Sequence, residues 1–540
     1  QNNFMVYINL FFLKILNQFK KLYLHSSLYN RKISKVLDYN ISYKPSPHLL
    51  SSLIKYQKKK IKIDDVASEE IWGNNNLNHN DFKNLHNFYW FFSLDLKSSK
   101  KDVQVIIKNW IDLNKNYNEK SWNFDLTAKR IISWLSCQNL TYDESEVDYK
   151  KKFNKIVKKQ TNHLINETNK SIQIEDKLIG CASIILVGLC YQNEKNYLTF
   201  GSNLLKKISK SALDNHGFAK SRNIKQLIFY LKYFILIREW FKESQTSVPE
   251  HIDETIYYLG QGYAFMWQNI GSDFLFNGNN ISYNKDFDVY LKRFGYKFKN
   301  ENHDFGGYVI LKNKKVCLAM DAGSTPSSDH TRDYQSGALS FEILSNGQKL
   351  ISNCGYYKKN NLQLNQLSKS SAAQSTLIID DNSSCKFKKI NNSWVVKKGL
   401  KIIKRDIVFE KNYWKIEASH DGYLSKYNSI HERKIEFYPE QMTFIGEDKI
   451  VKKKTNNNYK FDIRFHVEPN VKLMKTQDNK TILIELNDEG WKFTCDNHDI
   501  NIDKGLYFGK KNSYIDNQNI FVTGISNNQI ENINWQITKL

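Results

Sequence analysis

The stretch YKFDIRFHV, residues 459–467, alternates apolar and polar side chains without a break. Tyr459, Phe461, Ile463, Phe465 and Val467 fall on one face, and Lys460, Asp462, Arg464 and His466 on the other. That two-residue period is the signature of a strand with one buried face. YWKIEAS (413–419), RKIEFYP (433–439) and KTILIEL (480–486) repeat it, separated by Asn, Asp and Gly turns. Upstream the period is different. QLIFYLKYFILIREWF (226–241) is apolar nearly all round, as in a helix buried between neighbours, and IIKNWIDL (106–113) and AKRIISWLS (128–136) carry the spaced apolar positions of amphipathic helices. The chain therefore reads as an α+β multidomain protein. A helical domain over 1–295, built of hairpins packed as a bundle, solenoid or toroid, precedes an antiparallel β-sandwich over 300–540. The boundary is expected between NGNNISYNKDFD (277–288) and KNENHDFGG (299–307).

At 540 residues the chain is long enough for more than one core, and its 41% hydrophobic and 14% aromatic content excludes a disordered chain. The net charge of +23 favours a polyanionic partner, although lysine, asparagine and isoleucine recur at every kind of position and part of the charge is compositional. No arginine-rich tract, zinc-finger spacing or phosphate loop points to nucleic acid, and none is expected as a partner. The seven cysteines (137, 181, 190, 317, 354, 385 and 495) form no Cys-x-x-Cys pair, so neither a disulfide framework nor a thiolate metal site is expected. Cys181 and Cys190, in CASIILVGLCY, read as buried free thiols. QNNFMVYINLFFLKILNQFKK (1–21) is interrupted by Asn9 and Lys14 and reads as a first amphipathic helix rather than a signal peptide. No later run is apolar for long enough to span a membrane.

The motifs FGGYVILKNKKVCLAMDAG (305–323), GALSFEILSNGQKLISNCGYY (337–357), SAAQSTLIID (371–380), RFHVEPNV (464–471), GWKF (490–493) and INWQI (533–537) occur in the order and spacing of the heparinase II/III-like proteins. SWNFDLTAKRIISWLS (121–136), HGFAKSRN (216–223) and FLFNG (274–278) resemble the helical half of the same group, in a divergent bacterial branch. The resemblance covers roughly residues 80–540 and implies an incomplete α/α toroid followed by the sandwich. It also implies a polysaccharide lyase acting on uronic-acid glycans in the cell envelope, the periplasm or outside the cell. Because the N-terminus carries no evident signal peptide, a cytoplasmic location stays open.

Elimination across a uronate needs a group that neutralises the carboxylate, a base for the C5 proton and an acid for the leaving oxygen. In the family an Asn or His on a toroid helix neutralises, a toroid Tyr and a sandwich-edge His move protons, and some members hold a zinc on two His and one Asp. Before the strand motif the family reads His-Ala-His-Ala-Asp, where this chain has Asp333, Tyr334, Gln335, Ser336 and Gly337. The resemblance places the family's metal ligands at Gln335, Asn353 and Gln374, all neutral amides, so no metal or other cofactor is expected and a polar network of amides hydrogen-bonded to one another takes its place. The neutralising pair falls near Glu175 and Asp176 and the tyrosine near Lys225 or Gln226, while Asn162 and His163 read as a helix-surface pair.

The remaining catalytic candidates are Arg222, Tyr334, His330 and His216. Arg222 suits a carboxylate by its planar fork, with an internal salt bridge as the alternative. Tyr334 would need a cation to lower its pKa, with packing as the alternative; His330 and His216 are loop imidazoles. Asp333, Gln335, Glu342, Asn353 and Gln374 are the candidate substrate-binding residues, Glu342 also anchoring its loop, whereas His466 reads as a satisfied sandwich histidine. A lyase of anionic polysaccharide, a non-catalytic anionic-glycan-binding or envelope-maintenance protein, and unspecific binding of another polyanion all remain open. The sugar, endo or exo action and the oligomeric state are not legible.

Overall fold

The computed structural model describes residues 2–37, 40–54, 71–72, 76–94, 100–170, 173–193, 195–282, 285–358, 361–390, 392–454 and 456–540, with side chains from Phe11 onward. Gln1, and Tyr283 and Asn284 within the expected boundary stretch, lie outside them. The residues pack into two compact units, one of 1–211, 229–256 and 286–295, the other of 212–228, 257–285 and 296–540. The packing boundary thus differs from the linear one expected near 295. Segments 212–228 and 257–285 belong with the strands because their polar groups bond there: Arg222 to Asp321, Asn277 to Tyr308, and the Leu275 N–H to Glu342.

The first unit is helical. Helix Phe124–Ser136 follows Asn123 and buries Leu126, Ile131, Trp134 and Leu135 at helical spacing. Its Arg130 is wholly buried, yet it donates to Gln160 Oε1 (2.8 Å), His86 O (2.9 Å) and Ser121 O (2.9 Å) and lies 4.0 Å from the Trp110 ring centroid. A guanidinium is tolerated in such a core only because nearly all its donors are spent. Cys181 and Cys190 are buried free thiols on helix Ile174–Cys190. The N-terminal helix forms as Asn2–Leu24, but Phe11, Phe12, Leu16 and Phe19 are all more than half exposed. Phe11, Phe12, Ile15, Leu16, Phe19 and Leu22 fall on one side at helical spacing, so the helix is amphipathic as expected, and that face is left largely exposed among the described side chains. No helix among the described residues is long and apolar enough to cross a membrane.

The second unit is antiparallel throughout its named strand pairs. A five-stranded meander spans Asp304–Ile351. An eight-stranded sheet runs from Lys472–Lys475 at one edge to Ile402–Phe409 at the other, and a four-stranded sheet pairs Asp499–Tyr507, Ile515–Ser526, Tyr459–His466 and Leu377–Ile379 in that order. One apolar core joins all of these sheets, centred on Phe341, Phe465, Phe493 and Trp535. Phe341 stacks on Trp535 at 5.5 Å and Phe465 meets it edge-on at 4.9 Å. Each such buried ring contributes roughly 1.5–3 kcal/mol through burial alone. In strand Tyr459–His466 the apolar face is buried as the alternation demands, but Asp462 and His466 on the polar face are buried too. The strand lies inside its sheet, flanked on both edges, which the period alone could not reveal.

Gly446 sits opposite Trp535 in the ladder, and a Cβ there would fall inside the indole. Gly446→Ala is expected to destabilise the protein by about 1–3 kcal/mol through overpacking, read as a lower urea midpoint at unchanged slope.

Candidate functional site

The site is built on loop 328–340 of the second unit, between strands Val316–Asp321 and Phe341–Ser345, with segments 221–226, 273–280 and 353–374 bonded to it. Glu342 fixes the loop's end. It is fully buried, accepts from the N–H of Leu275, from Ser352 Oγ (3.1 Å) and from the N–H of Asn353 (3.4 Å), and pairs with buried Lys349 at 2.8 Å. A glutamate in an apolar strand is thus an anchor, as expected, and not a group offered to a ligand.

Arg222 adopts a left-handed backbone (φ 57°) that turns the chain immediately before helix Ile224–Glu243. Its guanidinium donates to Gly306 O (3.1 Å), Gly307 O (3.1 Å) and Asp321 Oδ1 (2.7 Å), and lies 4.5 Å from the Tyr308 ring centroid. Of the two roles open for Arg222, the internal salt bridge is the one present, and the carboxylate-binding role is corrected accordingly. The pair is buried, Asn277 closes it by donating to Asp321 Oδ2 (2.9 Å), and glycines at 307 and 323 leave room against the guanidinium.

Tyr334 is also corrected. It packs with Ala338, Cys385, Val396 and Leu400, and burial pushes its hydroxyl well above the ordinary value despite Arg222, the reverse of what a base requires. His216 stands exposed in a turn, and His330 is half-buried at the end of turn Ser328–His330, where burial and Lys220 lower its pKa. No hydrogen bond among the described residues joins either ring to the Asp333 group described below.

Gln335 donates to Gly355 O (2.9 Å) and Ser368 O (2.7 Å) and accepts from the N–H of Gly278 (3.0 Å); Gln374 donates to the same Ser368 O (3.2 Å). Asn353 accepts from the N–H of Ser375 at 2.7 Å. All three are buried, and among the described residues their side-chain hydrogen bonds run to backbone, not to one another, so the expected amide network is a set of backbone clamps. Neutral amides spent on backbone groups do not fit the zinc that the family resemblance implies. Gln335→Glu, which removes both donors and faces a carboxylate with two carbonyls, is expected to cost about 2–3 kcal/mol in denaturant unfolding near pH 7.

Asn162 and His163 also serve structure: Asn162 donates to Ile33 O (2.8 Å), and buried His163 meets Tyr29 Oη (2.7 Å) with its pKa lowered by burial to about 3. His163 is therefore interior, not a surface group. Glu175 and Asp176 occupy the first turn of their helix, where the dipole favours them. His466 is satisfied by Ala372 O (2.8 Å) and Cys354 Sγ (3.2 Å), with burial lowering it to about 4.

What the loop does present is a buried carboxylate among cations. Asp333 accepts from Tyr356 Oη (2.9 Å) and Asn223 Nδ2 (3.4 Å), with Arg332 at 3.5 Å and Lys358 at 3.9 Å. Burial alone would raise its carboxyl; Lys358, Arg332 and Lys369 overcome that and hold it at about 2. Asn223 also caps the next helix by accepting from the N–H of Lys225 (2.9 Å). Burial, with repulsion from Lys511 and Lys358, pulls the half-buried Lys225 ammonium down to about 8, against the opposing pull of Asp333 and Asp273. Lys358 and Lys511 are exposed. The sequence marks Lys225 only as the position where a tyrosine is missing and gives no signal for Lys358 or Lys511, because their charges act on it only through the fold.

Lys225 has a checkable sign. Its folded pKa of about 8 lies below its ordinary 10.5, so between those values the unfolded chain binds the extra proton and stability rises with pH. Below that window the native state carries the cost of a desolvated ammonium. Lys225→Gln is expected to stabilise the protein by about 1–3 kcal/mol at pH 7 and to flatten the rise between pH 8 and 10.5, measured by urea unfolding across pH.

Residues 301–536 match the family described as heparinase II/III-like, C-terminal. Among solved structures, a heparinase III (the BT4657 gene product) superposes with a TM-score of 0.72 at 13% identity over 93% of this chain and 87% of that one. The heparan sulfate lyase HepC from Pedobacter heparinus gives 0.66 at 12% over 95% and 87%, and a further heparinase III gives 0.66 at 14% over 95% and 88%. At these identities the likeness is one of fold, a helical toroid followed by an antiparallel β-sandwich. No curated protein matches by sequence.

Proposed function

We propose, on the premise that this chain is heparinase II/III-like in its C-terminal domain and in its fold, that it cleaves a uronate-containing anionic polysaccharide by β-elimination. The observation that carries this reading is the half-buried Lys225, with an ammonium near 8, amid Lys358 and Lys511 beside the clamped Asp333. In its neutral form the Lys225 amine takes the C5 proton. Lys358 faces the carboxylate and stabilises the charge that develops on it, the C4–C5 double bond forms, and the departing C4 oxygen takes a proton from water. Asp333, held ionised, keeps the cations converged, and Asn223 ties it to the start of the Lys225 helix. If the substrate is an envelope or extracellular glycan, the protein works there.

A second reading, binding without cleavage, is favoured by a different observation: Tyr334 is locked in the interior and Gln335, Asn353 and Gln374 clamp backbone where the family resemblance implies reactive groups. Absorbance near 232 nm during incubation with acidic polysaccharides separates the two. A rise that grows from pH 7 to 9 and is lost in Lys225→Gln is the expected result. Salt-sensitive binding with no rise on any substrate would replace cleavage by binding.

A further inference from the structure

Four lysines on the large sheet are neutralised in pairs, Lys404 with Glu417 (2.9 Å), Lys415 with Asp406 (2.5 Å), Lys434 with Glu436 (3.4 Å) and Lys449 with Glu447 (3.0 Å), while Lys472 and Lys492 stand there singly without an acidic partner among the described residues. The separate hairpin of strands Lys386–Ile390 and Ser393–Lys398 breaks this pattern. Lys386, Lys388, Lys389, Lys397 and Lys398, with Lys401 just beyond, are all exposed, and none has an acidic partner among the described residues. Lys386 stands directly opposite Lys398 in the ladder, an arrangement that costs stability through like-charge repulsion.

The hairpin is also bonded to the candidate site. Thr331 Oγ1 accepts from the N–H of Val396 (3.0 Å), and buried Lys369 donates both to Arg332 O in the site loop and to Trp394 O in the hairpin. At the junction lies a cavity of about 350 Å³ lined by Thr325, Ser328, Gly399, Lys397, Lys401 and Asp421. Asp421 accepts from the Lys401 N–H (2.7 Å) and is its one carboxylate.

We propose that this hairpin is a second binding surface for an anionic polysaccharide, holding by charge the part of the chain that runs beyond the sugar seated at Lys225 and Lys358. The inference rests on the glycan reading given above, and continuity with that site is what favours a glycan over other polyanions. Occupancy offsets the Lys386–Lys398 repulsion, so the surface serves long chains and does little for short ones.

The test measures affinities of the full chain for heparan sulfate, alginate and polygalacturonate, each as polymer and as disaccharide, over a range of salt. In a variant carrying Lys386→Ser, Lys388→Ser, Lys389→Ser, Lys397→Ser and Lys398→Ser, the polymer Kd is expected to weaken at least ~10-fold at low salt with a shallower salt dependence. Disaccharide binding stays unchanged. Arginine at the same positions restores polymer binding, and the pair Lys388→Ser with Lys398→Ser gives a smaller loss in the same direction should the larger set perturb folding. Unchanged polymer affinity and salt slope in a folded serine variant would overturn the proposal. So would single-stranded DNA bound more tightly than every glycan and lost with the same lysines. Disaccharides bound by neither protein, with Lys358→Ser silent, would instead overturn the glycan reading of the Lys225 site.

Discussion

Asp448→Ala is expected to destabilise the protein by about 3–5 kcal/mol, the cost of leaving a buried charge without its partner. Asp448 is fully buried beneath the sandwich core and accepts from Arg433 Nε (2.8 Å) and Nη2 (3.1 Å), from Trp535 Nε1 (2.9 Å) and from His431 Nε2 (2.7 Å). The remaining guanidinium nitrogen of Arg433 donates to Leu339 O (2.8 Å) and Ser375 O (2.7 Å), which ties the site loop to the core. The chain of bonds also fixes the imidazole protons. Gly422 N–H donates to His420 Nδ1 (3.0 Å), so His420 Nε2 donates to His431 Nδ1 (3.2 Å) and His431 Nε2 donates to Asp448. Both rings are neutral in that scheme, in keeping with burial lowering each of them, and Arg433 is the cation that balances Asp448. Urea unfolding followed by tryptophan emission reads the loss. The double variant Arg433→Met with Asp448→Leu is expected to recover more than half of it, because removing both charges also removes the desolvation cost. A single-variant loss below about 1 kcal/mol would mean that water or a rearranged side chain replaces the carboxylate.

Arg222→Ala has a comparable expected cost, about 3–5 kcal/mol, and it discriminates between roles. If the guanidinium were a substrate ligand, its loss would weaken glycan binding and leave folding intact. As the partner of buried Asp321, it should instead lower the urea midpoint, and only the neutral donors Asn277 Nδ2 and the Gly323 N–H would be left to hold the carboxylate. Arg222→Lys is expected to recover only part of the loss, since a lysine cannot bond Asp321 and the carbonyls of Gly306 and Gly307 together in the guanidinium's fixed geometry. Glycan affinity per folded molecule should stay within about twofold, measured below the unfolding transition.

The residues that were legible in the sequence were those whose role is local. Phe461, Ile463 and Phe465 announce a buried face by spacing alone, and the strand Ser429–Tyr438 alternates buried and part-exposed positions as RKIEFYP requires. Glu342 could be recognised as an anchor, since a carboxylate in an apolar strand must find donors. The candidate site was far less legible. Tyr334 has the right chemistry for a base and the wrong surroundings, and nothing in residues 332–343 reports that Val396 and Leu400 close over it.

Sequence by itself determined the periods, and through them the helical unit, the antiparallel strands and the apolar core. Only the tertiary structure decided which charges meet. Arg222 and Asp321 lie 99 positions apart, and Lys225 feels Lys358 and Lys511 only once folding brings them together. Periodicity is a property of neighbouring residues and survives in the unfolded chain, whereas ionisation depends on desolvation and on distances between groups that the chain sequence leaves free.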